Sequence, residues 1–256
     1  MKKIVFLDID GTILNTKKEI PEKTKRGIFT LKEKGYRVAI ATGRGPFMFR
    51  EIREELGIDS FISYNGQIVV AGGKTIHSNP FSETEIEELI AASKEKDHPL
   101  VFMSMEKMVA NVEYDKRIEE AIGSLKFPHP DYDAEYYRKA PIYQILLFCE
   151  EGEERYIYER FSNFQVLRWH RYAVDIIPKE SSKAKGIEIA LDYFQIPVEN
   201  AYAFGDGIND LEMLAAVGTS VAMGNGHPET KKVADFITKH VDDDGLYHAF
   251  KHLQLI

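Results

Sequence analysis

An α/β fold, with a Rossmann-like parallel-sheet core and a second, inserted α+β unit, is predicted by three observations in the 256-residue sequence. Short apolar runs recur at residues 4–7, 36–41 and 201–204, each ending in polar residues and each followed in time by a helical pattern. Runs that are apolar throughout mark strands buried on both faces, as in a parallel sheet covered by helices. Between roughly residues 81 and 182 this rhythm gives way to four or five strands with two helices, the pattern of helices on one face of an antiparallel sheet. The rhythm resumes after residue 182, so the core is discontinuous: 1–80 and 183–256, with 81–182 as the insert.

The elements follow in order. Ile4-Val5-Phe6-Leu7 is the first strand, and Asp8-Ile9-Asp10-Gly11-Thr12 lies where its carboxyl end opens to solvent. A helix opens at Ile20-Pro21-Glu22, with proline near its first turn and Gly35 placed to end it. Residues 36–41 form a strand ending in Thr42-Gly43-Arg44, and 46–56 a helix stopped by Gly57. Residues 61–63 are a third strand, Tyr64-Asn65-Gly66 a turn, and 67–77 a hairpin around Gly72-Gly73.

Within the insert, Ser82-Glu83-Thr84-Glu85 has the form of a capping box for a helix to about residue 96. Strands are expected at 100–103, 108–112, 143–148, 165–169 and 173–177, helical stretches at 114–123 and 153–161, and a loop at 128–140. Returning to the core, a helix spans 184–194 and the strand 201–204 ends in Gly205-Asp206-Gly207-Ile208-Asn209-Asp210. A helix at 211–216, a strand at 219–223, a helix around 229–234, a short strand at 236–237 and a last helix within 242–253 complete the chain.

The bulk composition narrows the function. A hydrophobic content of 44% supports one large domain or two ordinary ones. Lys and Arg number 33 against 41 Asp and Glu, a net charge of −8, and no basic block can follow a phosphate backbone, so nucleic acid is not an expected partner. The single cysteine, Cys149, lies in an apolar run and reads as a buried strand residue; it allows no intrachain disulfide. No apolar run approaches membrane-spanning length and no signal peptide is evident, so a reduced cytoplasmic compartment is expected. Nothing in the sequence specifies an oligomeric state.

Three parallel-type strands end at Asp8/Asp10, Thr42 and Asp206, and open α/β sheets gather such ends at one crevice. Alternation lets Asp8 and Asp10 face a common point, where two carboxylates repel unless a proton, water or a cation intervenes. A solvated turn would also relieve them. With Asp206 added, a hard divalent cation such as Mg²⁺ is the economical partner, and Mg²⁺ keeps a place for a phosphate oxygen. A carboxylate can then attack phosphorus, a second can act as acid and base, Thr42 and Asn209 can hydrogen-bond the phosphoryl oxygens, and Lys183 can offset their charge. The plainer readings are an N-cap for Thr42 and a solvated helix-start lysine for Lys183. The eight histidines form no zinc pattern.

These stretches, with Ser182-Lys183-Ala184-Lys185-Gly186, resemble the four motifs of the haloacid dehalogenase superfamily, and the insert resembles the cap of its Cof-type phosphatases. The third motif is the loosest match, with Glu180-Ser181 standing where many relatives have glycine and a hydrophobic residue. The resemblance implies Asp8 as nucleophile and Asp10 as general acid/base. It implies Mg²⁺ held by the Asp8 side chain, the Asp10 carbonyl and Asp206, with Asp210 as acidic support and Thr42, Gly43, Lys183 and Asn209 around the phosphate. It implies hydrolysis of small phosphorylated metabolites, sugar phosphates first, through an aspartyl-phosphate; a phosphosugar mutase shares the chemistry. A receiver that accepts phosphate without turnover is the other class, but it needs neither Asp10 nor the insert. In the insert, Arg168-Trp169-His170-Arg171-Tyr172 and Asp175 are candidates to touch the substrate, and a surface hairpin explains the same residues.

Overall fold

The computed structural model describes residues 2–256. The chain forms two compact units: one runs to Arg44 and continues through Phe49–Ser78 and Ser182–Ile256, and the other comprises Gly45–Met48 and Asn79–Ser181. The sequence pattern puts the insert at 81–182 and carries no change that sets the four residues after Arg44 apart from the helix that follows.

The first unit opens with β1 (Ile4–Leu7), α1 (Glu22–Glu33), β2 (Arg37–Ala41), α2 (Arg50–Leu56), β3 (Ser60–Ser63), β4 (Ile68–Ala71) and β5 (Lys74–Ser78). The second holds α3 (Glu83–Lys94), β6 (Leu100–Met103), β7 (Met108–Ala110), α4 (Lys116–Ser124), β8 (Asp131–Tyr132), β9 (Gln144–Phe148), α5 (Arg155–Arg160), β10 (Phe164–His170) and β11 (Ala173–Pro178). The first resumes with α6 (Lys183–Phe194), β12 (Ala201–Gly205), α7 (Leu211–Ala215), β13 (Thr219–Ala222), α8 (Pro228–Val233), β14 (Phe236–Ile237) and α9 (Gly245–His252).

Its sheet has the order β14-β13-β12-β1-β2-β3-β4-β5. Pairing is parallel from β14 to β3 and antiparallel across β4 and β5, the expected hairpin. All four residues of β1 are fully buried, as a central strand covered on both faces requires. On one face Ile4, Phe6, Ala39, Ala41 and Ala203 pack with Ile187, Ala190 and Leu191 of α6. On the other, Phe204 meets Phe250 of α9 edge to face, and α9 packs against α1 where Gly27 leaves room for the Phe250 ring.

The second unit's sheet has the order β10-β11-β9-β6-β7-β8, antiparallel except for β7 with β8. It has six strands and three helices, one strand more than the five expected and a helix in each of the three expected stretches. The added strand is two-residue β8, inside the stretch expected as loop, which also holds a 3₁₀ turn at Tyr136–Arg138. The expected helix at 46–56 is a 3₁₀ turn at Pro46–Phe49 followed by α2. The Ser82–Glu85 capping box forms and closes the start of α3; such a cap contributes about 1 kcal/mol. No helix among the described residues is long and apolar enough to cross a membrane.

Candidate active site

Asp8 extends β1 by one residue, its N–H donating to the Phe204 carbonyl at 3.0 Å, and the residue is only 7% exposed. Lys183, the first residue of α6, is 1% exposed and lies between two carboxylates. Its Nζ donates to Asp8 Oδ1 and to Asp210 Oδ1, both at 2.6 Å. What brings α6 this close is Gly66. Its φ of +98° places it in the left-handed region, and a Cβ there would collide with the Ser182 carbonyl oxygen at the start of the helix.

Asp210 serves two purposes. Its Oδ2 accepts the N–H groups of Asp206 and Gly207 at 2.9 and 2.8 Å, which folds the loop after β12, while Oδ1 holds Lys183. Asp206 is thereby turned toward Asp8, accepting from Thr12 Oγ1 at 3.1 Å and Asn225 Nδ2 at 3.3 Å. Asn225 ties three segments together, since it also donates to the Gly11 carbonyl at 2.8 Å and accepts from the Val241 N–H at 2.9 Å. Gly11, at φ +76°, has the Asp206 carboxylate where a side chain would stand.

The electrostatics follow from burial. Burial lifts the Asp8 carboxyl well above its usual range; Lys183 opposes this, and Asp210 and Asp206 add to it. Asp206 is pushed up to about 6 by burial and then by Asp210. Burial disfavours the Lys183 ammonium, yet Asp210 and Asp8 outweigh it and hold the pKa above the ordinary lysine value. Carboxylate oxygens of Asp8, Asp206 and Asp210 lie within 4.8 Å of one another. Three carboxylates against one ammonium leave an excess of negative charge in a poorly hydrated place, offering only oxygen donors. That donor set fits a hard divalent cation.

Asp10 is turned elsewhere. Arg44 grips its carboxylate as a fork, Nε to Oδ2 at 2.8 Å and Nη2 to Oδ1 at 2.7 Å, and Lys18 Nζ reaches Oδ1 at 2.7 Å. Burial alone would raise Asp10, but the Arg44 and Lys18 contacts hold it below the usual carboxylate range. Thr42 is buried at the end of β2, where its hydroxyl accepts the Arg44 N–H at 3.1 Å in a local turn; it caps no helix, since the 3₁₀ turn begins at Pro46 and α2 at Arg50. Gly43 lies against the Asn65 side chain. Asn209 is exposed on the 3₁₀ turn Ile208–Asp210, with its amide oxygen folded toward Gly207.

Direct hydrogen bonds thus join Asp8, Lys183, Asp210 and Asp206, whereas Asp10, Thr42, Gly43 and Asn209 are not bonded to that cluster. Sequence reasoning assigned no role to Arg44, Lys18, Thr12 or Asn225. Arg44 and Thr12 sit inside the motifs, and Asn225 stands in Gly224-Asn225-Gly226 at the end of β13, so strand-end position was the available signal; Lys18 carried none. In the second unit Arg168 is structural: it pairs with Glu154 at 2.8 Å and donates to the carbonyls of Cys149, Glu150, His170 and Arg171. Cys149 is buried and its thiol is pushed up to about 11 by that burial, so it is no nucleophile.

Comparison with known proteins adds four findings. A family model described as haloacid dehalogenase-like hydrolase matches residues 5–250. YkrA of Bacillus subtilis (strain 168), whose name carries the word phosphatase, is 46% identical over 254 residues, covering 99% of this chain and 98% of that one. Among solved structures, a hypothetical protein of Geobacillus kaustophilus HTA426 superposes with a TM-score of 0.98 at 47% identity, and the match covers 100% of both chains. A second, described as the HAD subclass IIB sugar phosphatase BT4131, gives 0.84 at 28% identity with 100% of both chains covered.

Proposed function

The chain belongs to the haloacid dehalogenase-like hydrolases, and from that membership we propose that it is a Mg²⁺-dependent phosphatase of small phosphorylated metabolites, sugar phosphates foremost. The observation that carries the reading is the buried Asp8–Lys183–Asp210 array with Asp206 beside it. A lysine this deeply buried between carboxylates orients a nucleophile and neutralises charge that gathers near it. Mg²⁺, held by the Asp8 and Asp206 carboxylates and the Asp10 carbonyl, would supply charge shielding that lets an anionic nucleophile approach a phosphate. Both oxygens of Asp210 are engaged, so its part is to position Lys183 and the loop.

In the first half-reaction an Asp8 oxygen bonds to phosphorus as the bond from phosphorus to the alcohol oxygen breaks, and Asp10 gives its proton to the departing alkoxide. In the second, Asp10 takes a proton from water, the water oxygen bonds to phosphorus, and the bond to Asp8 breaks. Thr42, Gly43, Lys183 and Asn209 serve the phosphoryl oxygens. Asp10 must leave the Arg44 fork to carry a proton, because both its oxygens are bonded there. The test is phosphate release from a panel of phosphorylated sugars, nucleotides and cofactors, with Mg²⁺ and with EDTA. The expected result is release that requires Mg²⁺ and is lost in Asp8→Asn; release indifferent to EDTA, or retained in Asp8→Asn, contradicts the proposal.

A further inference from the structure

The parallel strands of the first unit have a second end, opposite Asp8. Lys2 precedes β1 there, and the register sets Ile4 beside Arg37, the first residue of β2. Because β4 runs antiparallel to β3, its hairpin with β5 returns to the same end, with Gly72-Gly73 in the turn and Lys74 after it. α6 starts at Lys183 beside Asp8 and finishes about 18 Å on, at Tyr193 and Phe194. Lys2, Arg37, Gly72, Lys74, Tyr193 and Phe194 line an open cavity of about 520 Å³. Ile4 and Asp8 are four strand residues apart, so the cavity stands roughly 13 Å or more from the carboxylate array.

No carboxylate lines this cavity, although the chain has a net charge of −8. Lys2, Arg37 and Lys74 are exposed, and none forms an ion pair or a side-chain hydrogen bond with a described residue. Arg37 is nevertheless held in place, because its guanidinium lies over the buried Phe194 ring, 4.2 Å from the centroid. A stacked guanidinium is pre-organised to grip phosphate oxygens, and the two ammonium groups add point charges. Tyr193 stands at 73° to Phe194, with centroids 5.3 Å apart, and is 49% exposed, so much of its ring is open to solvent beside the cations. The carboxyl end of α6 brings roughly half a negative charge to this place, which three whole positive charges outweigh.

Three unpaired cations beside an exposed aromatic ring match a phosphate chain attached to a planar base. We propose that this cavity binds a nucleoside diphosphate, with Lys2, Arg37 and Lys74 on the phosphates and Tyr193 stacked on the base. The terminal phosphate alone carries about 2 negative charges at pH 7, so a diphosphate engages all three cations where a monophosphate does not. The proposal goes beyond the phosphatase reading and does not depend on it.

The experiment is calorimetric titration of the full chain with adenosine diphosphate (ADP), AMP, adenosine and pyrophosphate, in EDTA and with Asp8→Asn so that no turnover contributes. ADP is expected to bind at one site, more tightly than the other three, and more weakly as salt is raised. Arg37→Gln and Lys74→Gln should each weaken ADP by about tenfold or more, the loss of one charge-assisted contact. Tyr193→Ala should bring ADP down to the level of pyrophosphate. Gly72 supplies a pair of variants that differ in charge and not in shape: nothing lies within 4 Å of a Cβ built on it, and Asp and Asn both tolerate its φ of +57°. Gly72→Asp should abolish binding while Gly72→Asn retains it. Absence of ADP binding, pyrophosphate binding as tightly as ADP, or equal ADP affinity in Gly72→Asp and Gly72→Asn overturns the proposal.

Discussion

At the scale of the residue, Lys183 decides how the site stands. Its ammonium separates two carboxylates that burial has stripped of water, and removing one partner of such a group costs about 3–5 kcal/mol. Lys183→Met should therefore lower the melting temperature in EDTA, recover part of the loss with added Mg²⁺, and turn over at least a hundredfold more slowly. Equal melts in EDTA would show that the lysine is not holding the carboxylates. Glu154, bound to Arg168, offers a pH test away from the site: burial opposes its charge, but Arg168 holds its carboxyl below the ordinary glutamate range. A depressed carboxylate stabilises above its unfolded pKa and loses that contribution as pH falls through the folded one. Wild type should thus melt above Glu154→Gln at pH 7, with the gap closing below about pH 4. Asp8 and Asp206 were legible as strand-end carboxylates, and Asp210 only through the family resemblance. The fork of Arg44 on Asp10 was not, because no spacing rule places residues 34 positions apart in contact.

At the scale of the element, β1, β2 and β12 were legible from continuous apolar runs, and α3 from its capping box, since each signal is local. The break of the expected 46–56 helix and the two-residue β8 were not, because short irregular pieces owe their form to tertiary packing. Gly66 shows the same limit more sharply. In sequence Asn65-Gly66 reads as a turn, which it is, but the close approach to Ser182 belongs to the fold. Gly66→Ala should cost about 2 kcal/mol or more through backbone strain at φ +98° and the displaced helix start. The same substitution should reduce turnover more than tenfold, because Lys183 is the next residue after Ser182. Unchanged melting together with unchanged turnover would show that α6 is not positioned by this contact.

At the scale of the molecule, the insert was read from the loss of the regular alternation of β and α after residue 80 and its return after residue 182. The short Gly45–Met48 segment of the second unit was invisible, as four residues are too few to carry a period. Family membership and the buried array make an aspartyl-phosphate on Asp8 the central claim. Its most direct test uses Asp10→Asn with p-nitrophenyl phosphate and Mg²⁺. The nitrophenolate leaves without a proton from Asp10, so the first half-reaction proceeds, while the second lacks its base and stalls. Acid quenching and mass spectrometry of the peptides should then find one phosphoryl group on the peptide containing Asp8, matched by a stoichiometric burst of nitrophenolate. Steady release of product with no phosphorylated peptide, or a phosphoryl group carried elsewhere, would contradict the account.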